Sequence, residues 1–168
     1  VLNKFKDKLL AITCYVVADA WFSKSTFINK LLAMGFHLIS RLRDDSALWY
    51  FHNGVRTGKR GRPRGKGEKI DFDNLDLSHC EPLDVEGGKA FVIKTYSVAM
   101  KRNIKIVVHY PESGGHKIYF STDLDMSGRD IIEYYRTRFQ IEFCFRDAKQ
   151  FTGRNHCQAR DLRKLDFA

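Results

Sequence analysis

Proline is scarce in this chain of 168 residues, at three, and cysteine is hardly commoner, at four. Cys14, Cys80, Cys144 and Cys157 stand far apart, and no two form a C-x2-C pair. That spacing argues against a structural zinc site, whose ligands come in close pairs, and against the disulfide framework of a small secreted domain. The thiols read as free, in a reducing compartment. Long apolar runs are missing too: none approaches the roughly 20 residues that a bilayer span needs, and the N-terminus lacks the shape of a cleavable signal. The expectation is a soluble, cytoplasmic protein with no membrane partner. With 43% hydrophobic residues, wholesale disorder is excluded. The chain opens at Val1 without an initiator Met, inside an alternation of Lys with apolar residues that runs to Leu10 like a surface helix. That opening suggests an excised or truncated piece.

Acidic residues are also in short supply. Twenty Asp and Glu against twenty-nine Lys and Arg leave a formal charge of +9, which favours a polyanionic partner. The excess is concentrated. In the run RTGKRGRPRGKGEK, from Arg56 to Lys69, Glu68 alone faces Arg56, Lys59, Arg60, Arg62, Arg64, Lys66 and Lys69. Such a run cannot pack a core and is expected as an exposed loop. Within it, Arg60, Gly61, Arg62, Pro63 and Arg64 contain the Arg-Gly-Arg-Pro core of an AT-hook. There the glycine lets the backbone lie deep in a narrow minor groove, and flanking arginines meet concentrated negative potential. The plainer reading is a solvated loop that contacts phosphates without sequence preference.

Hydrophobic patterning orders the rest. Ile12 to Ala18 is a β-branched, apolar strand ending at Asp19. Ser23 and Ser25 offer N-caps to a helix through Phe27, Ile28, Leu31 and Leu32, which Gly35 closes. Phe36–Arg41 and Ala47–His52 read as strands. Beyond the basic run and a polar connector come three more strands, Lys89–Ala99, Ile104–His109 and Lys117–Thr122, punctuated at Asn103 and at Gly114-Gly115. Ser127 with Asp130 opens one long helix, from about Arg129 to about Gln150. A basic tail follows. The class is mixed α/β, with a β-rich insertion before the last long helix. It divides as residues 1–55, 56–126 and 127–168 of one partial domain.

The long helix carries the most specific pattern. Tyr135, Arg138, Glu142 and Lys149 stand at the spacing Y-x2-R-x3-E-x6-K, within about 60° of one face of a continuous helix. Ile132, Phe139 and Phe143 form the neighbouring apolar stripe. Glu142 offers carboxylate oxygens to a hard cation, Arg138 a bidentate fork and Lys149 a point charge to phosphates, and Tyr135 a ring or hydroxyl to a displaced base. The alternative is a solvated face with an i,i+4 ion pair between Arg138 and Glu142.

These residues resemble the signature helix of bacterial insertion-sequence transposases with the Tyr-Arg-Glu-Lys motif, a branch of the DDE transposase and integrase group. The stretch VVADAWFSKSTFINKLLAMGFHLISRL is similar to that group's segment around the second catalytic Asp, where a buried strand ends in the Asp and the next strand ends in Arg. The resemblance implies a ribonuclease-H-like fold, here partial. It implies two Asp and one Glu holding two Mg2+ or Mn2+ ions, with DNA hydrolysis at transposon ends followed by joining to target DNA. On this likeness Asp19 and Glu142 are catalytic and metal-binding, and Tyr135, Arg138 and Lys149 support them. Double-stranded DNA is the partner, a homodimeric synaptic complex is compatible with it, and the bacterial nucleoid is the location. The strand bearing the group's first Asp has no counterpart. Asp7 is the only Asp before Asp19 and lies on the Lys-rich stretch, so the chain is expected to be inactive alone. A non-catalytic DNA-binding derivative and a nuclease that only hydrolyses are the competing functions. His156 and Cys157 are read as structural, Trp21 as packing, and Trp49 and Tyr50 as sheet packing.

Overall fold

A computed structural model of the chain describes residues 2–51 and 66–151. The chain divides into two compact units, residues 1–135 and 136–168. The first is built on a mixed sheet of eight strands among the described residues, as the α/β expectation with a β-rich insertion requires. Its strands are β1 (Tyr15–Val17), β2 (His37–Leu42), β3 (Leu48–Phe51), β4 (Lys66–Lys69), β5 (Glu81–Val85), β6 (Gly88–Ser97), β7 (Arg102–Pro111) and β8 (Lys117–Ser121). The order across the sheet is β1-β2-β8-β7-β6-β3-β4, with β5 also paired to β6. Among the described residues only β1 and β2 run parallel. They are joined by α2 (Ser25–Ala33), which buries Ile28 and Leu31.

Gly35 ends α2 as its position suggests. It takes φ +87°, and the amides of Gly35 and Phe36 bond back to Leu32 and Leu31. That pair of bonds is the Schellman arrangement, which glycine adopts without a Cβ penalty. Lys24 rather than a serine occupies the N-cap, and no side chain caps it.

Two clusters lie on opposite faces of the sheet, because alternate residues of each strand point to opposite sides. One gathers Ile28, Leu31, Phe36, Leu38, Leu48, Ile93, Ile104, Ile106, Ile118 and Phe120. The other gathers Ile39, Val92, Val107, Met126, Ile131 and Ile132 under α3 (Gly128–Thr137). Each isoleucine that α3 buries contributes roughly 1.5–3 kcal/mol. The sheet is also strongly coiled. Leu42 lies level with Val108 of β7 and Leu48 level with Arg102, with three strands between β2 and β3. A flat sheet would separate those two residues by about 28 Å, at ~4.8 Å per strand and ~3.4 Å per residue. Six peptide units reach at most about 23 Å. Twist must therefore bring the two corners together over the first cluster.

Four expectations need correction. The first strand is only three residues long, because the amides of Ile12 and Thr13 bond to Leu9 at the end of α1 (Lys6–Leu10), and Ile12 is exposed. Asn103 is a strand residue of β7. The turn before it carries Lys101 in the left-handed region, at φ 54°. Two strands, β4 and β5, occupy segments expected as loop and connector. The long helix is two helices, α3 and α4 (Gln140–Phe151), interrupted at Arg138 and Phe139. There the amides of Phe139, Ile141 and Glu142 bond three residues back, to Arg136, Arg138 and Phe139, a tighter 3-10 pattern. The two helices differ in burial: α3 buries Gly128, Ile131 and Ile132, whereas α4 buries none, its apolar residues Ile141, Phe143, Cys144, Phe145 and Ala148 being spread around the helix.

Candidate active-site residues

Asp19 lies just beyond β1. Strand pairing runs on through the Ala18 amide, which donates to the Ile39 carbonyl at 3.1 Å, and then the chain turns away. Asp19 caps that turn, its Oδ1 accepting from the Ala20 amide at 2.7 Å. The residue is exposed. The carboxylate therefore stands at the C-terminal edge of the two parallel strands, the edge at which open α/β sheets place ligand chemistry. Behind it the Ser23 hydroxyl reaches the Ser40 hydroxyl at 3.4 Å and the Arg41 carbonyl at 3.5 Å, tying the turn to β2. Arg41 is engaged by Asp44 at 3.2 Å. Trp21 is not a packing residue of the core. It is 69% exposed, with the Lys24 ammonium 4.1 Å from its ring centre.

Tyr135 ends the first unit, partly buried with its ring 5.2 Å from that of Tyr119. Arg138, Glu142 and Lys149 belong to the second unit. Arg138 lies in the turn before α4 and pairs with Glu142 in the first turn of that helix, Nη1 to Oε1 at 3.2 Å. Lys149 follows Glu142 by seven residues on the same helix, close to the same face. The sector shared by all four residues assumed one unbroken helix. Only Glu142 and Lys149 share a helix, so the sector does not survive the interruption at Arg138. Asp7 is exposed on α1. Arg60, Gly61, Arg62, Pro63 and Arg64 lie outside the described residues, as do His156 and Cys157.

Asp19 and Glu142 offer the hard oxygen donors that Mg2+ and Mn2+ prefer, and the Ala20 amide engages one oxygen of Asp19, Oδ1. Their chemistry fits such an ion. Among the described residues no group of three or more His, Cys, Asp or Glu is placed to hold one. No helix among them is long and apolar enough to cross a membrane.

Sequence reasoning missed a polar hollow at the other end of β1. The Tyr15 hydroxyl donates to Asp123 Oδ2 at 2.8 Å, across 108 residues of chain. The two residues line a cavity of about 490 Å³ with Asp125, Ser127, Asp130 and Tyr134. Burial pushes the Asp123 carboxyl up, but the Asp125 amide, the Tyr15 hydroxyl and nearby His37 outweigh it and hold the group below its ordinary value. The Tyr15 hydroxyl, held by that hydrogen bond and by burial, is raised well above its own. Only the Asp123–Asp125 turn chemistry was visible in the sequence; the Tyr15 contact carries no local signal.

A family model described as "Transposase DDE domain" matches residues 1–167 of this chain. No curated protein and no solved structure matches it significantly.

Proposed function

The chain belongs to the transposase DDE domain family, and on that premise we propose that it supplies the second Asp and the Glu of an insertion-sequence type site that cuts and joins DNA. A transposition-related nuclease function follows from the family itself. The assignment of residues is carried by the placement of Asp19, an exposed carboxylate held by one oxygen at the C-terminal edge of a parallel strand pair.

Asp19 and Glu142 would hold divalent Mg2+ or Mn2+ ions, with Asp19 fixed by the Ala20 amide. Such ions, when bound, stabilise charge on the attacking and leaving oxygens of a phosphodiester. Arg138 orients the Glu142 carboxylate through their ion pair and, with Lys149, neutralises backbone phosphate. Tyr135 closes the set from α3. The partners are transposon-end and target DNA, in a homodimeric synaptic complex within the bacterial nucleoid. The three parts divide the work: residues 1–55 carry Asp19, residues 56–126 grip DNA, and residues 127–168 bring Glu142.

A third carboxylate is required, and β1 supports a source for it. Among the described residues β1 pairs on one edge only, leaving a row of backbone donors and acceptors able to take another strand. We assign the first Asp to a strand added there, so residues 1–168 alone lack strand transfer. The test uses labelled transposon-end DNA in Mg2+ and Mn2+, with this chain beside a longer version containing the preceding strand. Joined products from the longer protein only, abolished by Glu142→Gln, are expected. Joining by the 168-residue chain overturns the ligand count, and cleavage without joining in the longer protein makes it a nuclease.

A further inference from the structure

One face of the insertion sheet is patterned in a way that the carboxylates do not use. Register aligns Lys105 of β7 with Lys94 of β6. Phe51 of β3 borders the same hollow, of about 260 Å³, and pairs with Lys66 of β4. A second row, two residues along, joins Asn103 to Tyr96, Tyr96 to Trp49 and Trp49 to Lys69. Residues directly opposite across a ladder share a face, and so do residues two apart on a strand. The β-bulge in β4, three residues against two in β3, puts both Lys66 and Lys69 on that face. The two rows thus span four strands, about 14 Å. Three rings are half-buried, Lys66, Lys69 and Lys94 are exposed, and the rows contain no carboxylate. Glu81 borders them in the hollow beside Lys94, and Glu68 lies between Lys66 and Lys69 on β4.

The positions of the cations are set by their neighbours. The Lys66 ammonium lies 4.7 Å from the Tyr96 ring centre and 5.7 Å from that of Trp49. Lys105 is buried, its Nζ donating to the Met126 carbonyl at 2.7 Å. Ammonium groups held over or beside aromatic rings are less free to withdraw, so less entropy is lost when a phosphate binds. Lysines interleaved with rings on a sheet suit a nucleic-acid strand, with phosphates on the cations and bases or sugars against the rings. An acidic peptide would use the charge and leave the rings idle.

We propose that this face, formed by Trp49, Phe51, Lys66, Lys69, Lys94 and Tyr96, binds one DNA strand through its phosphates and bases. The proposal deepens the function above and rests on DNA being the substrate. Trp21→Phe leaves Trp49 as the single tryptophan, and a 20-nucleotide oligothymidylate is the probe, with a 20-base-pair duplex and poly-glutamate beside it. Trp49 emission is expected to quench as oligonucleotide binds. Lys66→Gln with Lys94→Gln should weaken binding at least about tenfold and lower the salt slope by roughly 1.4, at ~0.7 per phosphate. An unchanged thermal midpoint confirms that this variant is folded. Bound oligonucleotide without quenching, an unchanged affinity and slope in a folded variant, or equal binding of poly-glutamate overturns the proposal. None of the altered residues is a carboxylate of the cutting site. Oligonucleotide bound by the unaltered chain without a Trp49 response removes the face alone, whereas failure of the unaltered chain to bind any DNA removes both readings.

Discussion

Replacing Gly128 by Ala tests how α3 is seated on the sheet. Gly128 is the first residue of α3 and is buried. A Cβ there would lie 2.4 Å from Val92 Cγ2 and 3.2 Å from Leu83 Cδ2. Carbon atoms in contact prefer about 3.5–4.0 Å, and Val92 is β-branched, with little rotamer freedom to retreat. Overpacking of this kind costs about 1–3 kcal/mol. The opposing gain in helix propensity, Gly to Ala, reaches ~1 kcal/mol in a helix interior and less at a first position. Overpacking wins, and a net loss of about 1–2 kcal/mol is expected, a drop in Tm of a few degrees at roughly 3 °C per kcal/mol. Val92→Ala alone removes two methyl-sized contacts, about 1.5 kcal/mol. Because the clash is with Val92 itself, the double variant should cost no more than Val92→Ala alone. The coupling energy is then about 1–2 kcal/mol by urea denaturation of the four proteins. Additive losses, or a stabilised Gly128→Ala, would refute the contact.

Two further outcomes follow from the charges. Changing Arg60, Arg62 and Arg64 to Ala should weaken duplex binding and reduce its salt slope by up to about 2.7, at ~0.9 per phosphate, with a larger loss on A·T-rich duplex if the run enters the minor groove. An unchanged slope in a salt titration would make the run a surface loop without a DNA role. Burial, above all, raises the Tyr110 phenol from 10.0 to about 12, and it raises Tyr50 in the same direction. The folded state therefore keeps protons that the unfolded chain loses, so this stability is intact below pH 10 and is lost as pH rises through about 12. Tm measured from pH 8 to 11.5 should begin to fall near 10, and a flat or rising profile would contradict the burial of these rings.

What could be read in advance was local. The α2 helix and its glycine stop, the presence of β2, β6, β7 and β8, and the Ser127 cap, whose hydroxyl accepts from the Asp130 amide at 3.1 Å, all depend on neighbours within a few residues. Asp19 was legible for the same reason, as an acid where an apolar strand meets a polar turn. Long-range effects were not. KGEK has little strand propensity, and it becomes β4 because Trp49 and Phe51 across the ladder supply partners and Lys66 packs over two rings. The Tyr15–Asp123 hydrogen bond joins residues 108 apart. The helix break carried no local signal: Phe139 and Phe143 continue the phase of Ile132, and the Y-x2-R-x3-E-x6-K spacing assumes one axis throughout.

The central claim is that Asp19 and Glu142 serve the same metal site. The direct measurement is Mn2+ binding, followed by electron paramagnetic resonance, to the longer protein on transposon-end DNA, with Asp19→Asn, Glu142→Gln and both together. Ligands of one site are coupled, so each single change should weaken Mn2+ binding strongly and the double change should add little more. Losses that simply add, or Mn2+ binding untouched by either substitution, would contradict the assignment.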